Sequence, residues 1–260
     1  MSNPIIGING PNDAIPKALD CANYSPAFVE NGHLYSTYKV AILAGIDVQS
    51  ALVLAYFSQY PDIDTEYNAV NQFCKFFSGK RRFVMRTLHS LHGGDSTAIQ
   101  DRKDQLKKLI KQFLKSEEYW KAGILIHSLG DSYAHTKGGS GSSNEKAYGP
   151  LIGHGLSSAI GIILGIDSDP DNLDNKIVRE KYIAYVKVLF DIFKNENANQ
   201  QEFNEFVDSI NVEQCADKMC PTFQVLDKSN EAIVDRFIKC MNKNLRSLTR
   251  YEIESLFKDI

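Results

Sequence analysis

The sequence predicts an all-α fold. Patterned apolar segments of helical length recur along nearly all 260 residues, no run of alternating β-branched residues competes with them, and 43% hydrophobic with 23% charged residues is ordinary globular composition, enough for one sizeable core or two small ones. Helices are expected at approximately 33–44, 47–59, 65–78, 101–115, 117–136, 154–165, 177–195, 200–209, 228–243 and 247–258. The apolar stretch 40–57 is broken by Asp47 and Gln49, and 151–166 contains His154. A bilayer span needs ~20 consecutive apolar residues, so both read as core helices. The Gly161 and Gly165 pair then marks a close helix approach rather than membrane dimerisation. In 101–115, Leu106, Leu109, Ile110, Phe113 and Leu114 make one face, and Lys103, Lys107, Lys111 and Lys115 form a stripe read as solvated, with contact to anionic lipid as the alternative. Residues 137–144 are glycine- and serine-rich and read as a surface loop or linker, and 167–174 is an acidic turn in which Pro170 and Asn172 oppose regular helix. Residues 1–175 read as a helical core and 176–260 as further amphipathic helices packed on it.

Charge selects no partner. Lys plus Arg is 29, Asp plus Glu is 32, the net charge is −3, and no basic block or groove points to nucleic acid. The first eight residues carry neither a basic segment nor an apolar run, so the expectation is synthesis without a Sec signal, in the cytoplasm. Five cysteines at irregular spacing read as reduced thiols, with a structural zinc at Cys215 and Cys220 as the minor alternative.

The histidines carry the chemical signal. Five of the six (His89, His92, His127, His135 and His154) lie between positions 89 and 154. His127, Asp131 and His135 stand at i, i+4 and i+8 of an otherwise apolar helix, drift by only ~80° and so share one stripe, with Asp131 ~6 Å along the axis from each imidazole. A carboxylate so placed can bridge two metal ions, each held by one histidine. Hydrogen-bonded core histidines beside an incidental carboxylate are the alternative, but three polar side chains on a buried helix need partners. Candidates are His33 at the start of the first helix, Asp62 at the end of the second, His89 or His92, His154 after a glycine, and Asp171 or Asp169 in the acidic turn. Taken alone each is weak: His33 and Asp62 also read as helix-terminal caps, and Asp169 and Asp171 as turn residues.

The order His33, Gln59-Tyr-Pro-Asp62, His89, His127-x3-Asp131-x3-His135, Gly153-His154 and Pro170-Asp171 resembles the zinc-dependent phospholipase C and single-strand nuclease superfamily. It is closest to bacterial phospholipase C-like branches with an Ala-Gly and a Ser-Gln motif, as Ala44-Gly45 and Ser58-Gln59 stand here. The resemblance covers about residues 30–175. It implies a compact helical bundle with two or three zinc ions: one held by His89, His127 and Asp131 beside Asp62, a second bridged by Asp131 near His33, and a third held by His135, His154 and Asp171. It further implies in-line attack of zinc-bound hydroxide on phosphorus, with Asp62 and Asp131 as the catalytic carboxylates. The metals would then supply the field that lets an acidic chain bind phosphate. Family members also use a terminal amine and a terminal Trp as ligands, whereas the only Trp here is Trp120. The expected function is phospholipase C-type hydrolysis of glycerophospholipids at a membrane surface, with Tyr133, Tyr148, Leu151 and Ile152 as an apolar rim. Single-strand nuclease activity and a non-enzymatic helical effector are the alternatives. A lipid-cleaving enzyme without a Sec signal further suggests export by a specialised secretion system.

Overall fold

The computed structural model describes residues 32–69, 79–149, 176–210, 224–258 and 260. Among them the architecture is all-α. Helices α1 (His33–Leu43) and α2 (Val48–Ile63) are followed by α3 (Gly79–Phe83), which runs into a π-helical turn, Val84–Leu88. Then come α4 (Ser96–Lys115), α5 (Tyr119–Ala134), α6 (Lys176–Phe193), α7 (Gln200–Ile210), α8 (Lys228–Asn244) and α9 (Arg250–Glu254), the last passing into a 3-10 turn, Ser255–Phe257. The only strands among the described residues are β1 (Thr136–Lys137) and β2 (Lys146–Ala147), an antiparallel ribbon.

Helix starts are set by side-chain caps. Asp47, Asp95 and Asp227 each accept two backbone N–H groups of the following turn, and Thr249 forms a reciprocal capping box with Glu252. Asp95 explains why α4 begins at Ser96 and not at 101. The helix expected over 65–78 is not helical at 65–68 and is helical at 69, and 70–78 lie outside the described residues, as does 154–165.

Helix α5 is the hub. It is buried from Ala122 to Tyr133 and apolar on nearly every side. Gly123 lets α2 approach: a Cβ there would stand 2.6 Å from Phe57 Cβ and 2.9 Å from the Leu54 carbonyl oxygen. Helix α1 packs on the same pair, α4 on α5, α6 on α1 and α5, and α8 on α1 and α2. One apolar cluster runs from Leu34 to Phe257, so the helices after residue 176 share the core of those before it.

Two sequence expectations change, and a third is narrowed to one of its alternatives. Lys103 does not belong to a solvated stripe: it is 2% exposed, with Nζ 3.4 Å from Glu145 Oε1 and 3.8 Å from the centre of the Tyr133 ring. A fold buries it because a carboxylate comes with it. Of the two readings of 137–144, surface loop or linker, the structure takes the loop: it closes the β1–β2 ribbon, with Gly138 and Gly141 at φ +80° and +73°. Cys240 stands in a disulfide, which corrects the reading of five reduced thiols. No helix among the described residues is long and apolar enough to cross a membrane.

Lys181 on α6 completes a buried cluster with Lys103 and Glu145. Burial, partly offset by Glu145 and reinforced by Lys103, lowers its pKa from 10.5 to about 8. The unfolded chain keeps the proton to higher pH, so between about pH 8 and 10 the unfolded state binds more protons and this group makes stability rise with pH. Lys181→Met is expected to flatten that rise by about 2 kcal/mol across the window, read from urea melts at stepped pH.

Candidate metal centre

Four separate segments deliver the site. His127 and Asp131 project from α5, with His135 at its C-terminal cap. His33 is the first residue of α1, and Asp62 lies in the last turn of α2 just after Pro61. His89 follows the π-helical turn, whose i to i−5 pairing brings the His89 N–H to the Val84 carbonyl at 2.9 Å. Ser90 then takes φ 51°. Its hydroxyl donates to the Ser128 carbonyl and the Ser128 hydroxyl to the Leu88 carbonyl, both at 2.7 Å, fastening the His89 segment to α5.

The side chains converge on Asp131. Its Oδ2 lies 3.0 Å from His89 Nδ1, 3.3 Å from His127 Nε2 and 3.7 Å from His135 Nδ1, while its Oδ1 lies 3.0 Å from His33 Nε2. His89 Nδ1 and His127 Nε2 are themselves 3.0 Å apart. The bridging geometry thus differs from the helix-only expectation: His127 and His135 approach the same oxygen, and α1 supplies the partner of the other. Within α5 the two carboxylate oxygens had no preferred side; the crossing of α1 decides it.

The outward ring nitrogens fix the tautomers. His89 Nε2 is 2.9 Å from the Tyr67 carbonyl and His127 Nδ1 is 2.9 Å from the Ser58 carbonyl, so each neutral ring donates its proton outward. His135 Nδ1 donates in the same way to the His89 carbonyl at 2.8 Å. The inward atoms of His89 and His127 are then lone pairs, facing each other and an Asp131 oxygen. Three acceptors in mutual contact repel unless a proton or a cation lies among them. Their 3.0–3.3 Å separations suit ligands about 2.0–2.1 Å from a tetrahedral ion, and backbone carbonyls on the far ring nitrogens are the usual outer support of such ligands. His89, His127 and Asp131 form one group able to hold a metal ion, and His33, Asp62 and His127 a second, looser one.

With no cation bound, a proton takes its place among these acceptors, on an imidazole facing Asp131. For His89, burial favours the neutral ring but is outweighed by the hydrogen bond and charge of Asp131, with Asp62 and the Tyr67 carbonyl adding to them, so its pKa is raised. Burial pushes Asp131 up, yet the charges of His135 and His127 and the hydrogen bonds from His127 and His33 hold it well below the carboxylate range. His89, His127, Asp131 and His135 are sealed from solvent, whereas the Asp62 side chain is 35% exposed and that of His33 17%. The site therefore opens on its Asp62–His33 edge.

Of the residues expected from the sequence, His33, Asp62, His89, His127, Asp131 and His135 meet here; His154 and Asp171 lie outside the described residues. His89, not His92, faces the site, because His92 turns its Nδ1 to the Gly93 carbonyl. Tyr133 is not a rim residue: it packs at the back of α5 against Tyr185 and beneath Lys103. Sequence reasoning missed the supports. Gln59 donates to Asp62 Oδ2 at 3.1 Å. The Tyr67 carbonyl is held in place by the Tyr67 hydroxyl on the Leu248 carbonyl, next to Tyr60 on the Leu248 N–H. Gly130 leaves room for His33, since a Cβ there would lie 2.7 Å from His33 Cε1. Among these Gln59 stood in the quoted motifs without a role, and the small residue on a buried helix left a signal; the Tyr67 and Leu248 contacts left none. No protein family, curated protein or solved structure matches this chain.

Proposed function

We propose that this protein is a zinc-dependent phosphodiesterase of the phospholipase C type, binding two or three zinc ions and cleaving glycerophospholipids to diacylglycerol and a phosphorylated head group. One observation carries the reading: the lone pairs of His89 Nδ1 and His127 Nε2 converge with Asp131 Oδ2 while each ring spends its proton on a backbone carbonyl. That donor set, two imidazoles and a carboxylate with outer-shell carbonyls, fits zinc. Bound zinc supplies Lewis acidity toward a phosphoryl oxygen and makes water acidic enough to act at neutral pH. The chain supplies the rest. Asp62, half-exposed and oriented by Gln59, is placed to accept the proton of an attacking water at the open edge. Asp131 spans the two groups with its two oxygens. The acidic net charge and the lack of a basic block in the sequence favour a lipid head group over nucleic acid.

The test is metal analysis of the purified protein together with a panel of choline, ethanolamine and inositol phospholipids beside single-stranded DNA. Stoichiometric zinc and release of a phosphorylated head group are expected. Absence of zinc, or full activity in His127→Ala, would overturn the reading and leave the helical effector; cleavage of DNA alone would replace the lipid by a nucleic acid.

A further inference from the structure

Three ionisable side chains are buried together behind the site on elements far apart in sequence: Lys103 on α4 at 2% exposure, Glu145 beside the ribbon at 2%, and Lys181 on α6 at 5%. Two ammonium groups against one carboxylate is a poor stabilising arrangement, since buried ion pairs seldom outperform apolar packing and here the charges do not balance. The hydrogen bonds have a common target instead. The Thr136 hydroxyl donates to Glu145 Oε1 at 3.0 Å, and the Lys181 ammonium donates to the Thr136 carbonyl. Glu145 Oε2 accepts the Gly141 N–H at 2.7 Å, tying down the tip of the loop. The adjacent residue is gripped as well: His135 donates its N–H to the Asp131 carbonyl at 2.8 Å and accepts the Tyr148 N–H at 2.9 Å. Its Nδ1 in turn donates to the His89 carbonyl at 2.8 Å.

We propose that Glu145, through the Thr136 hydroxyl, is a positioning residue that fixes His135 and, through the carbonyl His135 holds, the His89 ring that faces Asp131. The inference rests on the metal-binding reading above. A clasp of this kind acts as an outer shell does around a metal site: it adds no ligand, but it removes the freedom of a ligand to turn away.

Thr136→Val removes only the hydroxyl at nearly constant volume. It is expected to weaken binding of Co2+ or Zn2+, measured by chelator competition, about tenfold, and to speed exchange of the Tyr148 amide, whose N–H closes onto His135. Thr136→Ser restores both, and Glu145→Gln reproduces the weakening. Unchanged metal affinity in Thr136→Val, or no recovery in Thr136→Ser, overturns the assignment. If the unaltered protein binds no metal, the reading under Proposed function fails on its own. The clasp is then judged by the Tyr148 amide alone: faster exchange in Thr136→Val supports it, and unaltered exchange overturns it.

Discussion

Asp131→Asn is expected to cost ~1000-fold or more in phosphodiester turnover, on the order of 4 kcal/mol, and to abolish stoichiometric metal. The amide keeps the shape of the carboxylate but presents an N–H2 on one side, and each side already faces an imidazole nitrogen at 3.0 Å. It also removes the charge that lets three buried nitrogens tolerate a cation. The same variant reads out the electrostatics of the metal-free protein. Asp131, depressed in the fold, contributes stability present above its unfolded value of 3.8 and lost as pH falls through its native one. His89, elevated in the fold, contributes stability present below 6.5 and lost as pH rises through its native value. Asp131→Asn removes both contributions. By leaving burial as the main influence on the ring, it brings the His89 titration down in NMR spectra of the ring protons. An unmoved His89 titration would mean that Asp131 does not govern the pocket.

Gly123→Ala is expected to destabilise the protein by about 2–3 kcal/mol, even though alanine is the better helix former by about 1 kcal/mol. The added methyl meets Phe57 Cβ at 2.6 Å and the Leu54 carbonyl at 2.9 Å, neither of which is the free end of a flexible side chain. Helix α2 must shift from α5. Since α2 carries the Ser58 carbonyl that orients His127 as well as Asp62, metal affinity falls together with stability. Urea melts and chelator competition on the same sample check both effects. Gly32→Ala, at a position where a Cβ meets nothing within 4 Å, is the control and is expected to stay within about 0.5 kcal/mol.

The helices were legible because each buries an apolar stripe or, in α5, an apolar girdle, and 3.6-residue periodicity survives in the sequence as spacing. The stripe of His127, Asp131 and His135 was legible for the same reason. His33, Asp62 and His89 were legible as residue types in an order, not as neighbours. Their meeting at Asp131 needs α1, α2 and the π-helical turn to close on α5. The burial of Lys103 was hidden because a lysine on an amphipathic helix reads as solvated until a carboxylate from elsewhere, Glu145, is brought to it.

By itself, then, the sequence determined the all-α architecture, the central helix and the kinds of donor gathered on it, because those follow from local periodicity and side-chain chemistry. Only the tertiary structure decided which ring nitrogens point inward, which Asp131 oxygen meets which histidine, and that His89 rather than His92 completes the group. The crossing of α1 assigns the Asp131 oxygens, and backbone carbonyls at Ser58, Tyr67, His89 and Gly93 turn the rings; every residue possesses such a carbonyl, and it acquires a role only when the chain folds it against a particular imidazole.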